Sequence, residues 1–387
     1  MPDGREAVTI NLIRDITEVA PAQWDACAGS DDPFLSHAFL SALEESGSCS
    51  DETGWMPHHL SIADDNGDLL AVAPIYAKTH SYGEYVFDWG WADAFERAGG
   101  RYYPKLQAAV PFTPVTGRRL LVRESAPPEL ADALITGMMQ LAQQAGLSSV
   151  HVTFPNEEQW RRFEAHGWLL RIGQQFHWEN KDYATFDDFL ADLSSRKRKA
   201  IKKERRVVGE HGITIRSLTG DDLEERHWDA FYRFYRDTSN RKWGNAYLNR
   251  EFFARLHATM AEHVVLVMAE DEGHLVGGAL NLKGTDALYG RYWGSVEDYK
   301  FLHFEACYYR AIDFAIEHGL RWVEAGAQGP HKIQRGYLPR ETYSAHWIAN
   351  DSFRDAIENH LRSENRGVEE EIRWLGERSP FRSDDND

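Results

Sequence analysis

Two stretches of this chain occur twice, and that repeat limits the fold more than any other feature. Gly146-Leu147-x-x-Val150, after one long helical stretch, matches Gly319-Leu320-x-x-Val323 after another. His166-Gly167-Trp168-Leu169 followed by His177-Trp178 matches Arg335-Gly336-Tyr337-Leu338 followed by His346-Trp347, with ten residues from glycine to histidine in both copies. Two copies of one α/β unit are the simplest account. The boundary is read near Lys181 to Phe186, giving domains over 1–182 and 183–378 and a polar tail over 379–387.

The 387 residues suffice for two cores, and 42% hydrophobic with 12% aromatic residues places the chain among globular proteins. No apolar run reaches the roughly eighteen residues of a membrane span, and Met-Pro-Asp-Gly-Arg-Glu carries no signal-peptide core, so a cytoplasmic protein is expected. Cys27, Cys49 and Cys307 lack metal or disulfide spacing, and the adjacent His58 and His59 would face opposite sides of a strand, so no metal site is expected. The net charge of -18 disfavours DNA and general nucleic-acid binding, leaving room for a local basic site.

In the first copy, periodicity and turn residues predict strand 8–15, helices 21–28 and 33–46, and strands 58–63 and 69–78. A further strand over 84–91 and an irregular segment over 92–115 follow, then helix 127–146, strand 150–154, helix 156–166 and strand 168–178. The second copy reads as helix 186–210, strand 213–218, helices 222–237 and 250–262, strands 264–270, 275–282 and 287–293, helix 303–318, strand 321–325, and after a loop strand 342–348 and helix 352–374.

That loop, Glu324 to Tyr337, holds three glycines, a proline, a carboxylate, an amide, an imidazole, an amine and a guanidinium. It is either a polar connection or a site. The repeat weighs toward a site, because at the matching position of Lys332 the first copy has the apolar Phe163. The other prominent stretch places eight basic residues in the eleven positions from Arg196 to Arg206, on a helix whose apolar stripe includes Leu190, Ile201 and Val208. Arg196, Lys199, Lys203 and Arg206 are anion-binding candidates for tRNA phosphates, a nucleotide-linked substrate or a lipid headgroup; the alternative is a solvated face. Tyr102, Tyr103, Lys105, Arg118 and Arg119 could form an acceptor cleft in the first domain or pack beneath a long loop.

The order strand, two helices, antiparallel meander, helix, strand, helix, strand resembles the acyl-CoA N-acyltransferase (GNAT) fold. Two tandem copies, with Gln175-Phe176-His177-Trp178, Phe186-x-x-Phe189-Leu190 and Gly326-Ala327-Gln328-Gly329-x-His331-Lys332, resemble the FemAB-like N-acyltransferases of bacteria. The resemblance implies an α/β fold of two GNAT-like domains, each a mixed, mainly antiparallel sheet flanked by helices. It also implies transfer of an acyl or aminoacyl group to a small-molecule or peptide amine. Aligned on Gly336-Tyr337, Lys332 takes the place of the acidic tyrosine of GNAT enzymes, where it could hold the oxyanion; the first copy has Phe163 there. His331 and Glu324 are candidate bases, Gln328, Arg335 and Tyr337 candidate substrate contacts, and Arg291 and Trp293 share the strand face toward the loop. The GNAT pyrophosphate motif is missing from Gly294 to His303, so aminoacyl-tRNA gains on acyl-CoA as donor, and no tightly bound cofactor is expected. Two other readings stay open: a non-catalytic ligand-binding protein, and a module for tRNA or for peripheral membrane contact.

Overall fold

The structure, a computed structural model, describes residues 8–243, 246–326 and 329–382. Its contacts divide the chain into two compact units, Met1–Gly173 with Thr342–Gly367, and Gln174–Glu341 with Val368–Asp387. Most of the last strand of the chain and of its last helix thus lie in the first unit, while the end of strand Leu169–Glu179 lies in the second.

In the first unit, Asn11–Ile13, His59–Ala63, Leu69–Ala73 and Leu121–Val122 form one antiparallel sheet in that order. The other runs Trp55–Pro57, Ile75–Lys78, Lys105–Ala108, Ser149–Thr153 and the far end of Leu338–Ile348, antiparallel except where Lys105–Ala108 meets Ser149–Thr153. The stretch 69–78, expected as one strand, therefore serves two sheets. It breaks at Pro74, which has no N–H for a ladder.

Residues 84–91 do not form the expected strand, and 92–115 is not irregular throughout: helix Trp89–Arg97 and strand Lys105–Ala108 occupy parts of both. The reason is ionic. Glu84 and Asp88 turn inward onto the buried ammonium of Lys105, which donates to Glu84 Oε2 at 2.7 Å, to Ser81 Oγ at 2.9 Å and to Asp88 Oδ2. In an extended strand residues four apart share a face but stand about 13 Å from each other, too far for both carboxylates to meet one ammonium. Tyr102 and Lys105 are wholly buried and Arg119 nearly so, its guanidinium bonded to the carbonyls of Thr153 and Val115, so these three pack the unit rather than line a cleft.

In the second unit the order is Thr214–Leu218, Val264–Asp271, His274–Lys283, Ala287–Ser295, Trp322–Glu324 and the end of Leu169–Glu179. All pairs are antiparallel except Ala287–Ser295 with Trp322–Glu324. Both units thus place the strand after a glycine-stopped helix between a parallel and an antiparallel neighbour. That antiparallel neighbour comes from the other copy of the repeat, with His177 opposite Glu324 and His346 opposite His151. Gly146 and Gly319 both have φ 64°, as left-handed helix stops require.

The helix expected over 186–210 is two, Phe186–Asp192 and Ser195–Glu210. It breaks because Leu193 bridges Phe381 and Ser194 N–H bonds to the Pro380 carbonyl, so the start of the sequence-read tail is docked. Phe189, Leu190, Leu193 and Ile201 then close a core with Trp178, Tyr309, Ile312 and Tyr337.

Candidate active site

The parallel pair in the second unit is short. Register runs only from Ala287 with Trp322 to Tyr289 with Glu324, yet the first strand continues to Ser295. Beyond Glu324 the chain leaves it and stays tied to the other neighbour, Ala325 N–H bonding to Phe176 O at 3.1 Å and Phe176 N–H to Gly326 O at 3.2 Å. The parting strands open a wedge. The 3₁₀ helix Pro330–Arg335 follows, ended by Gly336 at φ 88°, where a Cβ would stand 2.8 Å from the Phe189 ring.

Lys332 projects from this helix back toward the strand end and is only 4% exposed. Its Nζ donates to Gly326 O at 3.0 Å and to Ala325 O, and stands 5.8 Å from the centre of the Phe176 ring. Among the described residues no carboxylate pairs with it; burial lowers its pKa to about 8, opposed only by Cys307. A lone cation on two carbonyls is one charge short of neutrality, and an oxyanion would supply it.

His331 is half-buried, its Nε2 3.2 Å from the Tyr308 hydroxyl. Burial first, then the charges of Arg335 and Lys332, lowers its pKa, which leaves a neutral imidazole fit to accept a proton near pH 7. Tyr308 reaches it through an irregularity: the helix expected over 303–318 contains a π turn, Glu305–Tyr309. The wider turn lets consecutive tyrosines serve one loop, Tyr308 at His331 and Tyr309 at Arg335.

Arg335 is committed inward. Its Nη2 bonds to both carboxylate oxygens of Glu204 at 2.8 and 2.9 Å, its Nε to Tyr309 Oη at 3.0 Å and its Nη1 to the His331 carbonyl at 2.9 Å. Tyr337 is fully buried, its hydroxyl on Tyr308 O at 3.0 Å. Both side chains are occupied in building the loop. Replacing Arg335 with methionine leaves Glu204 without its cation in a largely buried place, and a loss of about 3 kcal/mol in urea unfolding is expected, with Arg335→Lys recovering only part of it. A loss below about 1 kcal/mol would show that the pair does not hold the loop.

Glu324 lies across from His177, with Oε2 3.9 Å from Nε2. Burial, then Arg340 and Lys332, lowers the His177 pKa to about 3, so the ring beside this carboxylate is neutral. On the facing strand a β-bulge falls at Arg291, since Leu280 pairs with Tyr292 and Asn281 with Gly290. The bulge interrupts the expected alternation. Arg291 sits 5.2 Å from the Tyr292 ring, while Trp293 packs near Val267, Ala279 and His303. Gln328 lies outside the described residues.

On Ser195–Glu210 the basic candidates are all exposed, and spacings of three, four and three residues keep Arg196, Lys199, Lys203 and Arg206 in one stripe. Arg206 meets Glu210 at 3.3 Å; the other three form no ion pair among the described residues. The opposite face carries Ile201, Glu204 and Val208 inward. Sequence reasoning missed Glu204, although a single carboxylate in phase with two apolar residues in a basic run was a legible signal. It also missed Tyr308 and His177, whose roles depend on the π turn and on strand exchange.

Over residues 15–383 the sequence matches the FemAB-like family, described as peptidoglycan biosynthesis/recognition. No curated protein sequence matches. Among solved structures, FemX is 13% identical, with 88% of this chain and 98% of that one covered at a TM-score of 0.54. L-PGS from Bacillus licheniformis is 12% identical, with 92% and 98% covered at 0.50. A C-terminal domain named for lysylphosphatidylglycerol synthetase, from Agrobacterium fabrum, is 9% identical, with 88% and 95% covered at 0.55. The architecture is that of two tandem GNAT-like domains, and with most of its length matched by the family the chain belongs to the FemAB-like proteins.

Proposed function

We propose that this protein transfers an acyl or aminoacyl group from an activated donor to an amine, in the wedge of the second unit. The observation that carries this reading is Lys332, a buried ammonium without a carboxylate partner among the described residues, aimed at the end of strand Trp322–Glu324. Attack of the amine on the donor carbonyl places negative charge on its oxygen, and Lys332 supplies the fixed positive charge. His331, backed by the Tyr308 hydroxyl, takes the proton that the attacking amine loses, with Glu324 as second acceptor; as the tetrahedral adduct collapses to the amide, the bond from its carbon to the donor's leaving oxygen or sulfur breaks and that proton passes to the departing atom. Arg291 and Trp293, on the strand that continues past the wedge, are the proposed substrate contacts, with Gln328 from the loop.

Two features favour aminoacyl-tRNA over acyl-CoA as donor. Where GNAT enzymes present backbone N–H groups to a pyrophosphate, Phe301 takes the left-handed region at φ 70° and Leu302 N–H is used on Tyr299 O. The exposed stripe Arg196, Lys199, Lys203 and Arg206 suits a phosphate backbone, and the aminoacyl product in the name of the Agrobacterium protein agrees.

Charged tRNA should raise the melting temperature, by mass action, and transfer its aminoacyl group to an amine acceptor. Reversing the four stripe charges to glutamate should weaken tRNA binding by more than about tenfold and flatten its salt dependence by about three in log–log slope. Stabilisation by acetyl-CoA but not by charged tRNA would overturn the donor assignment, and no transfer from either would overturn the reading as an enzyme.

A further inference from the structure

Between Ser81 and Trp91 the usual distribution of side chains is inverted. The segment has two charged residues, Glu84 and Asp88, and both are buried. Its exposed side chains are aromatic: Tyr82 at 57%, Phe87 at 48% and Trp89 at 46%, three of the six large hydrophobic residues this exposed among those described. They form one patch, Phe87 stacked on Trp89 with ring centres 4.9 Å apart and Tyr82 5.8 Å from Trp89.

The patch is braced from beneath. Lys105 holds Glu84 and Asp88, the Tyr102 hydroxyl donates to Asp88 Oδ2 at 2.7 Å, and Arg171 Nη1 donates to the Phe87 carbonyl at 2.8 Å. Turning two carboxylates inward costs desolvation, and leaving three aromatics outward forgoes their burial. Both costs fall on the same eleven residues, which points to a use for the outward face.

We propose that this patch is a shallow anchor in the interfacial region of a lipid bilayer. Three half-exposed rings offer a few hundred Å², well short of the roughly 800 Å² per side of a stable protein partner. The segment's carboxylates face inward, so its surface lacks the charged acceptors that would orient a sugar or a peptide. Tyr82 and Trp89, rings with a polar edge, match the headgroup boundary, and Phe87 adds apolar area. With a net charge of -18 the chain as a whole gains nothing from anionic lipid, so attachment rests on apolar burial and is weak and reversible.

The test is sedimentation with vesicles of phosphatidylcholine alone. The wild type should partition onto them equally at about 0.1 M and about 0.5 M salt. Y82S/F87S/W89S should partition at least about tenfold less with an unchanged melting temperature, while Trp374→Ser, at an exposed tryptophan elsewhere, should bind as the wild type does. On the wild type, brominated phosphatidylcholine should quench part of the tryptophan emission, a readout independent of how the triple variant folds. Failure of the wild type to partition, equal binding by the triple variant, or binding only to phosphatidylglycerol vesicles with release by salt would each overturn the proposal. The last result would assign membrane contact to the basic stripe. A dimer in solution dissociated by Trp89→Ser, without vesicle binding, would make the patch a self-association surface instead.

Discussion

Replacing Lys332 with methionine is expected to lower turnover by about 10²–10³-fold while leaving the fold as stable or more stable at pH 7. The activity loss is that of removing one preorganised group from a developing oxyanion. The stability effect follows from linkage. The folded pKa is about 8, below the ordinary 10.5, so between these values the unfolded chain binds the additional proton and stability rises with pH. At pH 7 the charged lysine therefore costs about 3 kcal/mol, which methionine removes while leaving the Ala325 and Gly326 carbonyls without that donor. A melting temperature several degrees lower with turnover intact would make Lys332 structural. The pH profile separates two roles. If the ammonium acts, the rate falls above about pH 8, and Lys332→Arg keeps whatever activity it retains into the alkaline range. A rate that rises through pH 8 would identify the neutral amine as a base.

Lys105→Met in the first unit should cost about 3–5 kcal/mol, the largest destabilisation expected of any single substitution considered. Its ammonium is wholly buried between Glu84 and Asp88, so its removal strands two carboxylates in a dry interior with Lys78 as the remaining nearby cation, 3.9 Å from Glu84 Oε1. Burial already raises the Glu84 pKa to about 7 against the pull of Lys105, and without that pull it rises further. The variant should accordingly be least stable above pH 7 and recover as the pH falls and the carboxyls protonate. Urea unfolding at pH 5.5 and pH 8 measures this, and Glu84→Gln in the same background should restore part of the loss at pH 8. A pH-independent loss under about 1 kcal/mol would mean that the cluster is hydrated and contributes little.

The repeat, the glycine stops and the element order were open to reading because each depends on neighbours a few residues apart. Gly146 and Gly319 end their helices at the same φ, and helix Glu157–Ala165 starts where Asn156 caps it through Gln159 N–H. The loop from Glu324 to Tyr337 was legible for a similar reason, a run of glycines among polar groups with Lys332 where the first copy has Phe163. Lys332 was singled out by the alignment on Gly336-Tyr337, with Phe163 at the matching place of the first copy; in the structure Phe163 is a core residue, packed on Trp168 at 4.9 Å.

What local pattern could not settle was which partner each element takes. Phe87 and Val86 favour a strand, but the ammonium of Lys105, from a different stretch of chain, draws Glu84 and Asp88 inward and wins. Strands Leu169–Glu179 and Leu338–Ile348 look like the closing strands of their own copies, and only long-range pairing sends their ends to opposite units. Arg335 reads as a free cation in a loop until Glu204 is brought to it from Ser195–Glu210. The sequence by itself determined that there are two α/β units and where a glycine-rich polar loop lies, since those depend on periodicity and turn chemistry. Tertiary structure alone decided which of the loop's charges meets a carboxylate and which has none among the described residues, because that depends on the partners that burial brings together.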